Sequence, residues 1–388
     1  MIIEQIQLRH FRNYEDLTLE PHEGINIFFG QNGSGKTNLL EAIHYCALGK
    51  SHRVNQDAHA VMIGETAASC SIRVRGSLTR NEVSIRLQPG DLSVKSVWID
   101  QKKVHRLSEM MGVFRCVIFS PEDLALIKDG PSVRRKFLDM MISQVSRPYF
   151  IALQQYRVAM EQRNAILRDA RINQHAISPM IADFERAMAE HASLILRERI
   201  RYTDSLKNES RRLYQEISGQ KNEIFQVSYH GFLKPEEDVD TFLQMLESSR
   251  EDDLRQGVTT VGPHRDDLNL KLNQKGMKMF ASQGQIRTAA LSLKLSQLRV
   301  LAESTGDQPV LLLDDVMSEL DLNRRMNLLR EIGNTQTFIT CSDESDLDEC
   351  QNHRTYAVRN TDGKATLSEK QTGPVSEKIS VSEEPDFS

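Results

Sequence analysis

The stretch FFGQNGSGKT, Phe28 to Thr37, constrains the fold of this chain more than any other. Its spacing is G-x-x-x-x-G-K-T, carried by Gly30, Gly35, Lys36 and Thr37, with Gln31, Asn32, Gly33 and Ser34 between the glycines. That is a P-loop, in which backbone N–H groups cradle phosphates. INIFF before it is apolar and β-prone and reads as a buried strand. KTNLLEAIHYCAL after it reads as a helix, with Leu39, Leu40, Ile43 and Ala47 at helical spacing. A glycine loop between strand and helix aims backbone N–H groups and a helix N-terminus at an anion. Lys36 is then placed to reach the β- and γ-phosphates of a nucleotide, and the Thr37 hydroxyl to bind Mg²⁺.

At 388 residues the chain has room for two or three domains. Its 49 Lys and Arg against 54 Asp and Glu make it mildly acidic, so any nucleic-acid surface has to be local. Five scattered cysteines without a C-x-x-C pair exclude a disulfide framework and read as reduced core thiols of a cytoplasmic protein. MIIEQIQLRHFRNYEDL lacks the basic and apolar regions of a signal peptide. No apolar run is long enough to span a membrane.

Along the chain the texture changes twice. Up to about Phe119 it is β-rich; Ser69 to Val104 alternates apolar and polar residues and predicts an antiparallel meander, with a turn at Gln88-Pro89-Gly90-Asp91. From Pro121 to Leu246 it is helical. Two amphipathic stretches of comparable length, about Val133 to Ile172 and Ser178 to Ile217, flank NQHAISP and predict an antiparallel helical arm. Ser120 to Gln215 carries 16 Lys and Arg against 12 Asp and Glu, either a solvated helical face or a local basic surface. From Gly257 the chain returns to β, with a hairpin around Asn273–Gly276, then a helix, a buried strand PVLLLDD, a helix DLNRRMNLLREI and another buried strand, TQTFITC. Thr366 to Ser388 is polar and Ser/Glu-rich and reads as disordered.

Two further motifs carry chemistry. VLLLDDV puts Asp314 and Asp315 at the carboxyl end of a buried strand, the edge where ligands sit in an open α/β sheet. Asp314 suits the Mg²⁺ shell opposite Thr37, and Asp315 the water that attacks the γ-phosphate. ASQGQIRT starts a helix with Ser282, Gln283, Gly284 and Gln285, so a hydroxyl, glycine N–H and helix dipole meet there. Either this is an ordinary Ser N-cap, or it is a second phosphate site serving a nucleotide held by another copy of the chain.

P-loop, SQGQ, LLLDD and SELD follow in the order of ABC-type ATPases. With LRHFRNY (Leu8 to Tyr14), PEDLALIKDGPSVRRKFLD (Pro121 to Asp139) and TTVGPHRDDL (Thr259 to Leu268), the chain resembles, from Met1 to about Cys341, the bacterial RecF family, relatives of the SMC and Rad50 heads. The resemblance implies an α/β, P-loop ABC-type head with a mixed sheet and a largely helical second lobe bearing a short antiparallel arm. The first lobe is expected to comprise 1–119 with 305–365, the second 120–304, and the tail 366–388. Ser282, Gln283, Gly284 and Gln285 become signature contacts to ATP on the opposite subunit, Asp321 the D-loop acid, and Arg12 and Asn13 residues near the nucleotide. Lys36 and Asp315 are the catalytic pair, with ATP and Mg²⁺ as cofactors.

The implied activity is slow ATP hydrolysis switching an ATP-dependent homodimer that clamps DNA, single-stranded or gapped duplex, at the nucleoid. RecR is the implied partner, with RecO and RecA reached indirectly, in recombinational repair and replication. An SMC-type tether and a transporter ATPase are the competing readings; the short arm without sustained heptads disfavours the first, and PEDLALIKDGP with GPHRDD the second. Three departures stand out. Asp315 replaces the usual Glu, one methylene shorter. Cys341-Ser342-Asp343 brings no switch histidine, His353 being too far along. The lobe-linking glutamine is missing, with Ser120 or Glu122 in its place. Arg134, Arg135 and Lys136 either grip DNA phosphates or pair within the protein. GPHRDD is expected to be a hydrogen-bonded turn supporting the signature helix rather than a metal site.

Overall fold

The computed structural model describes residues 1–53, 56–90, 94–233, 239–343 and 352–370. The chain opens with β1 (Ile2–Phe11), β2 (Tyr14–Leu19) and β3 (Ile25–Phe29), and the P-loop then leads into α1 (Lys36–Leu48). β4 (Ala68–Arg75), β5 (Arg80–Gln88), β6 (Val94–Ile99) and β7 (Lys102–Val104) form the meander predicted from alternation, followed by β8 (Cys116–Phe119). Asp91 of the predicted turn lies outside the described residues. A helical segment follows: α2 (Ala125–Lys128), α3 (Pro131–Ser143), α4 (Arg147–Asn173) and α5 (Ile181–Ser218). Next come β9 (Phe225–His230), α6 (Val239–Ser248), α7 (Arg250–Gln256), β10 (Asp267–Leu272), β11 (Lys275–Gly276) and α8 (Met277–Phe280). The chain closes with α9 (Gln283–Thr305), β12 (Val310–Asp314), α10 (Leu322–Ile332), β13 (Thr337–Cys341), β14 (His353–Thr361) and β15 (Lys364–Lys370).

The central sheet is mixed, in the order β15-β14-β3-β13-β12-β8. β14, β3, β13, β12 and β8 are parallel neighbours, and only β15 runs antiparallel, at the edge. Parallel strands covered on both faces need apolar residues at nearly every position. VLLLD and TFITC supply them, broken by Asp314, Thr337 and Thr340, and all ten residues are buried. α1 is buried nearly all round because it lies in a core shared by this sheet and a six-stranded antiparallel sheet, β2-β1-β4-β5-β6-β7. A second core fills the other face of the central sheet, where Ile25, Ile27, Leu311 and Leu313 meet α3, α4, α5 and α9.

The helical arm is present, as α4 against α5 around residues 174–180. At 38 residues α5 is ~57 Å long. The first predicted helical stretch is in fact two helices. α3 stops at Ser143 and α4 restarts with Ser146 as N-cap and a proline in its first turn, where a proline's missing N–H costs nothing. The predicted disordered tail also begins too early. Thr366 to Lys370 belong to β15, which pairs with β14 from Thr355↔Lys370 to Thr361↔Lys364; residues 371–388 lie outside the described ones. Cys46, Cys70, Cys116 and Cys341 are buried, as expected of core thiols, whereas Cys350 is not described.

Candidate nucleotide site

Strand register assembles the site. Asp314 pairs with Thr340, and Thr340 with Phe28, so the acid and the start of the P-loop share one sheet edge two strands apart, ~10 Å. The loop between them requires its glycines. Gly30 has φ +155°, and a Cβ there would collide with the Val358 carbonyl of β14. Gly35 has φ +119°, and a Cβ would stand 2.9 Å from Ala365 and as close to Asn13. Neighbouring elements brace the loop. Asn13 donates to the Ser34 carbonyl (3.1 Å), Tyr14 to that of Gly35 (3.2 Å) and Asn360 to that of Gly33 (3.1 Å).

Lys36 folds back on the loop, its Nζ donating to the Gly30 (2.5 Å) and Gln31 (3.0 Å) carbonyls. Burial pulls its pKa down, against Asp315, Cys341 and Asp314, which raise it. The Thr37 hydroxyl donates to Asp314 Oδ1 (2.9 Å), and so does Thr340 (2.7 Å). Burial holds the Asp314 carboxyl above its usual range, and these two hydroxyls only partly offset that. A buried carboxylate whose direct partners are hydroxyls, beside a threonine Oγ, is a hard-oxygen donor set short of positive charge, which fits Mg²⁺. Asp315 turns off the strand at φ +52°, a left-handed conformation that Asp tolerates, and its N–H donates to Thr340 Oγ1 (2.9 Å). A cavity of about 170 Å³ opens between P-loop and strand ends, lined by residues including Gly35, Lys36, Thr37, Asp314, Asp315 and Arg53.

Arg53 escaped the sequence reading. It sits beyond α1, bonds Asn38 (3.2 Å) and brings a half-exposed guanidinium to the cavity; no local pattern marks it. Arg12 and Asn13 do not line the cavity. Arg12 instead clamps Glu41, a fully buried carboxylate on α1, with bonds of 2.9 and 2.6 Å, because a buried charge needs a partner. It ties the β1–β2 turn to the P-loop helix. Of the two lobe-linking candidates, Ser120 is buried and hydrogen-bonded to Asp123, which pairs with Lys294 of α9 at 2.9 Å. The charge of Glu122 is felt at Asp314. His353 pairs with Ile25, at the end of β3 remote from the loop, and cannot serve as the switch histidine.

The other predicted phosphate site lies elsewhere in the chain. Ser282 caps α9, accepting from the Gln285 N–H (3.3 Å), while Gln285 Oε1 accepts from the Ser282 N–H (2.9 Å), a reciprocal capping box. Gln285 also donates to Glu223 (2.6 Å). Ser282 and Gln283 are exposed. Asp321 caps α10 and pairs with Arg324 (3.0 Å), whose guanidinium lies against Gly284, so signature and D-loop are neighbours. None of these residues lines the P-loop cavity.

The basic run on α3 needs correcting. Arg134 is buried and bidentate to Asp267 (2.7 and 2.8 Å), and Arg135 donates to the Asp266 carbonyl (2.6 Å); only Lys136 is exposed and so open to solvent. GPHRDD is a hydrogen-bonded turn, but it anchors the arm and α3 rather than the signature helix. His264 bonds Tyr156 (2.7 Å), Asp266 bonds Tyr229 and the Phe232 N–H, and Asp267 holds Arg134. Burial brings His264 down to about 4, so it stays neutral. Among the described residues no cluster of three or more His, Cys, Asp or Glu could hold a metal.

A P-loop facing a strand-end Asp pair across a mixed sheet, with a capped signature helix on a helical lobe, defines an ABC-type ATPase head. The family model RecF/RecN/SMC N terminal domain matches residues 2–366. The DNA replication and repair protein RecF of Clostridium botulinum (strain Eklund 17B / Type B) is 39% identical over 351 residues, 90% of this chain and 95% of that protein. The protein of the same name from Acetivibrio thermocellus is 40% identical over 351 residues, 89% of this chain and 94% of that one. A solved structure of the recombination mediator protein RecF with ATP is 34% identical, with TM-score 0.86, covering 95% of this chain and 98% of that one. An SMC head bound to the C-terminal winged-helix domain of ScpA shares the fold at TM-score 0.57 and 14% identity. The chain belongs to the RecF family.

Proposed function

We propose that this chain is an ATP-gated DNA clamp of recombinational repair and replication maintenance. Residues 1–119 with 305–365 act as the ATPase lobe and 120–304 as the lobe carrying arm and signature. The observation that carries this reading is the separation of two half-sites in one chain: a P-loop cavity with two strand-end acids, and an exposed capped helix start that does not reach it. Two chains placed head to head complete both sites, with ATP between them.

In such a site the loop N–H groups and Lys36 hold the β- and γ-phosphates, for which Lys36 must leave the Gly30 and Gln31 carbonyls. Thr37 and Asp314 would hold Mg²⁺, which neutralises charge on the phosphate oxygens. Asp315 orients the attacking water, and its short reach makes hydrolysis slow. Ser282, Gly284 and Gln285 meet the γ-phosphate from the partner, with Asp321 beside them. Arg12 acts by tying the β1–β2 turn to the P-loop helix, and Asn13 by bracing the loop. The dimer holds DNA and hydrolysis releases it; RecR, and through it RecO and RecA, act on the clamp in the cytoplasm at the nucleoid. Among the described residues no helix is long and apolar enough to cross a membrane. The test is DNA retention on gapped, single-stranded and duplex DNA with ATP, with ADP and without nucleotide. ATP-dependent retention is expected; equal retention in all three states would sink the clamp.

A further inference from the structure

With Arg134 and Arg135 committed inside the protein, an acidic chain needs another surface for DNA phosphates. The outer face of the antiparallel sheet offers one. Alternation on β4 and β5 buries Cys70, Ile72, Val83 and Ile85 and turns Ser69, Ser71, Ser84 and Arg86 outward. Register sets these outward residues in rows. One row runs Arg9, Ser69, Arg86, Ser96 across β1, β4, β5 and β6. The next runs Gln7, Ser71, Ser84, Trp98, Lys103 and reaches β7.

A solvated sheet face is polar in any protein. This one has two further properties. Its middle strands carry serines, which leave the floor low, and cations stand among and beside them at Arg9, Arg86 and Lys103. Arg9 and Arg86 flank Ser69 two strands apart, ~10 Å. Arg9, Arg86 and Lys103 are exposed and make no ion pair among the described residues. The acids on and beside this face are Asp16, opposite Arg9 in register; Glu82, 3.5 Å from Arg73; Asp100, which accepts from the Glu82 N–H; Glu4, paired with Arg75 and Arg80; and Glu23, paired with Arg75, so its free cations among the described residues are Arg9, Arg86 and Lys103.

We infer that this face docks the phosphodiester backbone of duplex DNA. The inference rests on the DNA-clamp reading and supplies its missing surface. A low hydroxyl and amide floor with spaced free cations fits a rod-shaped polyanion. A single aromatic, Trp98, offers no succession of stacking platforms for unpaired bases.

Trp98 is the only tryptophan in the chain, so its emission reports on this face directly. The experiment titrates the ATP-saturated full chain with a blunt duplex and with a single strand of equal length, following Trp98 emission and, in parallel, gel mobility. A saturable emission change with duplex, absent with ATP alone, is expected. Arg9→Glu with Arg86→Glu should weaken duplex binding at least tenfold and lower the salt slope by about two. Arg9→Gln with Arg86→Gln gives the same sign with less risk to folding. If duplex is retained with ATP while Trp98 emission stays constant and both variants bind like the parent, the inference is overturned and the clamp stands. If no DNA is retained, both fall. Single strands bound in preference would overturn the duplex assignment.

Discussion

Asp314→Asn should act on stability and activity in opposite directions. Both hydroxyls that contact Asp314, from Thr37 and Thr340, bond to Oδ1, so an asparagine carbonyl keeps both. What is lost is a charge that burial disfavours. Because the folded-state pKa is raised, the folded chain binds this proton more readily than the unfolded chain. The penalty is therefore absent below the ordinary Asp range and appears as pH rises through the raised value. At neutral pH the variant should be as stable as the parent or more so, by about 1 kcal/mol, a shift of roughly 2 °C for a chain of this size. The advantage should vanish on acidification. Mg²⁺-dependent hydrolysis should fall at least ~100-fold, since about 3 kcal/mol of charge stabilisation goes with the carboxylate. Melting curves across pH and a phosphate-release assay read the two effects. A variant that hydrolyses ATP normally, or melts far below the parent at neutral pH, would refute this account of Asp314.

Asp315→Asn should bind ATP normally, hydrolyse it at least ~10-fold more slowly and accumulate a larger species with ATP by light scattering; an unchanged rate would remove Asp315 from the reaction. Arg134→Ala should lower unfolding free energy by about 3 kcal/mol, by stranding Asp267 beneath α3, and leave the salt slope of DNA binding unchanged. A shallower slope in a folded variant would return Arg134 to the DNA surface.

Much of the site was legible because phosphate chemistry fixes local spacing. Gly30, Gly35, Lys36 and Thr37 must stand in one loop, and that loop joins β3 to α1, whose bounds matched the predicted helix. β12 and β13 were legible because buried parallel strands are predominantly apolar. What escaped depends on partners distant in sequence. Beside Arg135 and Lys136, Arg134 can be read as a phosphate contact or as an internal pair, because the carboxylate that decides it lies 133 residues away. The family resemblance alone puts Arg12 near the nucleotide; its pairing with Glu41, inside an apolar helix, has no local signal. Arg163, fully buried in the arm with Glu185 and Asp253, shows no periodicity that would announce it. β15 was hidden by composition, since KATLSEK at a sheet edge buries only Ala365.

The central claim is that each ATP site is built from two chains, and mixing two inactive variants tests it most directly. Lys36→Met removes the phosphate-binding charge from one half-site, and Ser282→Arg blocks the other with a bulky cation. Ser282→Arg alone should still bind ATP, because the P-loop is untouched, but should neither dimerise nor hydrolyse it. In a mixed dimer one composite site carries both defects and the other carries none. ATPase activity should therefore return in part on mixing, while each variant alone stays inactive. Ser282→Arg protein that still dimerises with ATP, or proven heterodimers without recovered activity, would contradict sites that are shared between chains and act independently.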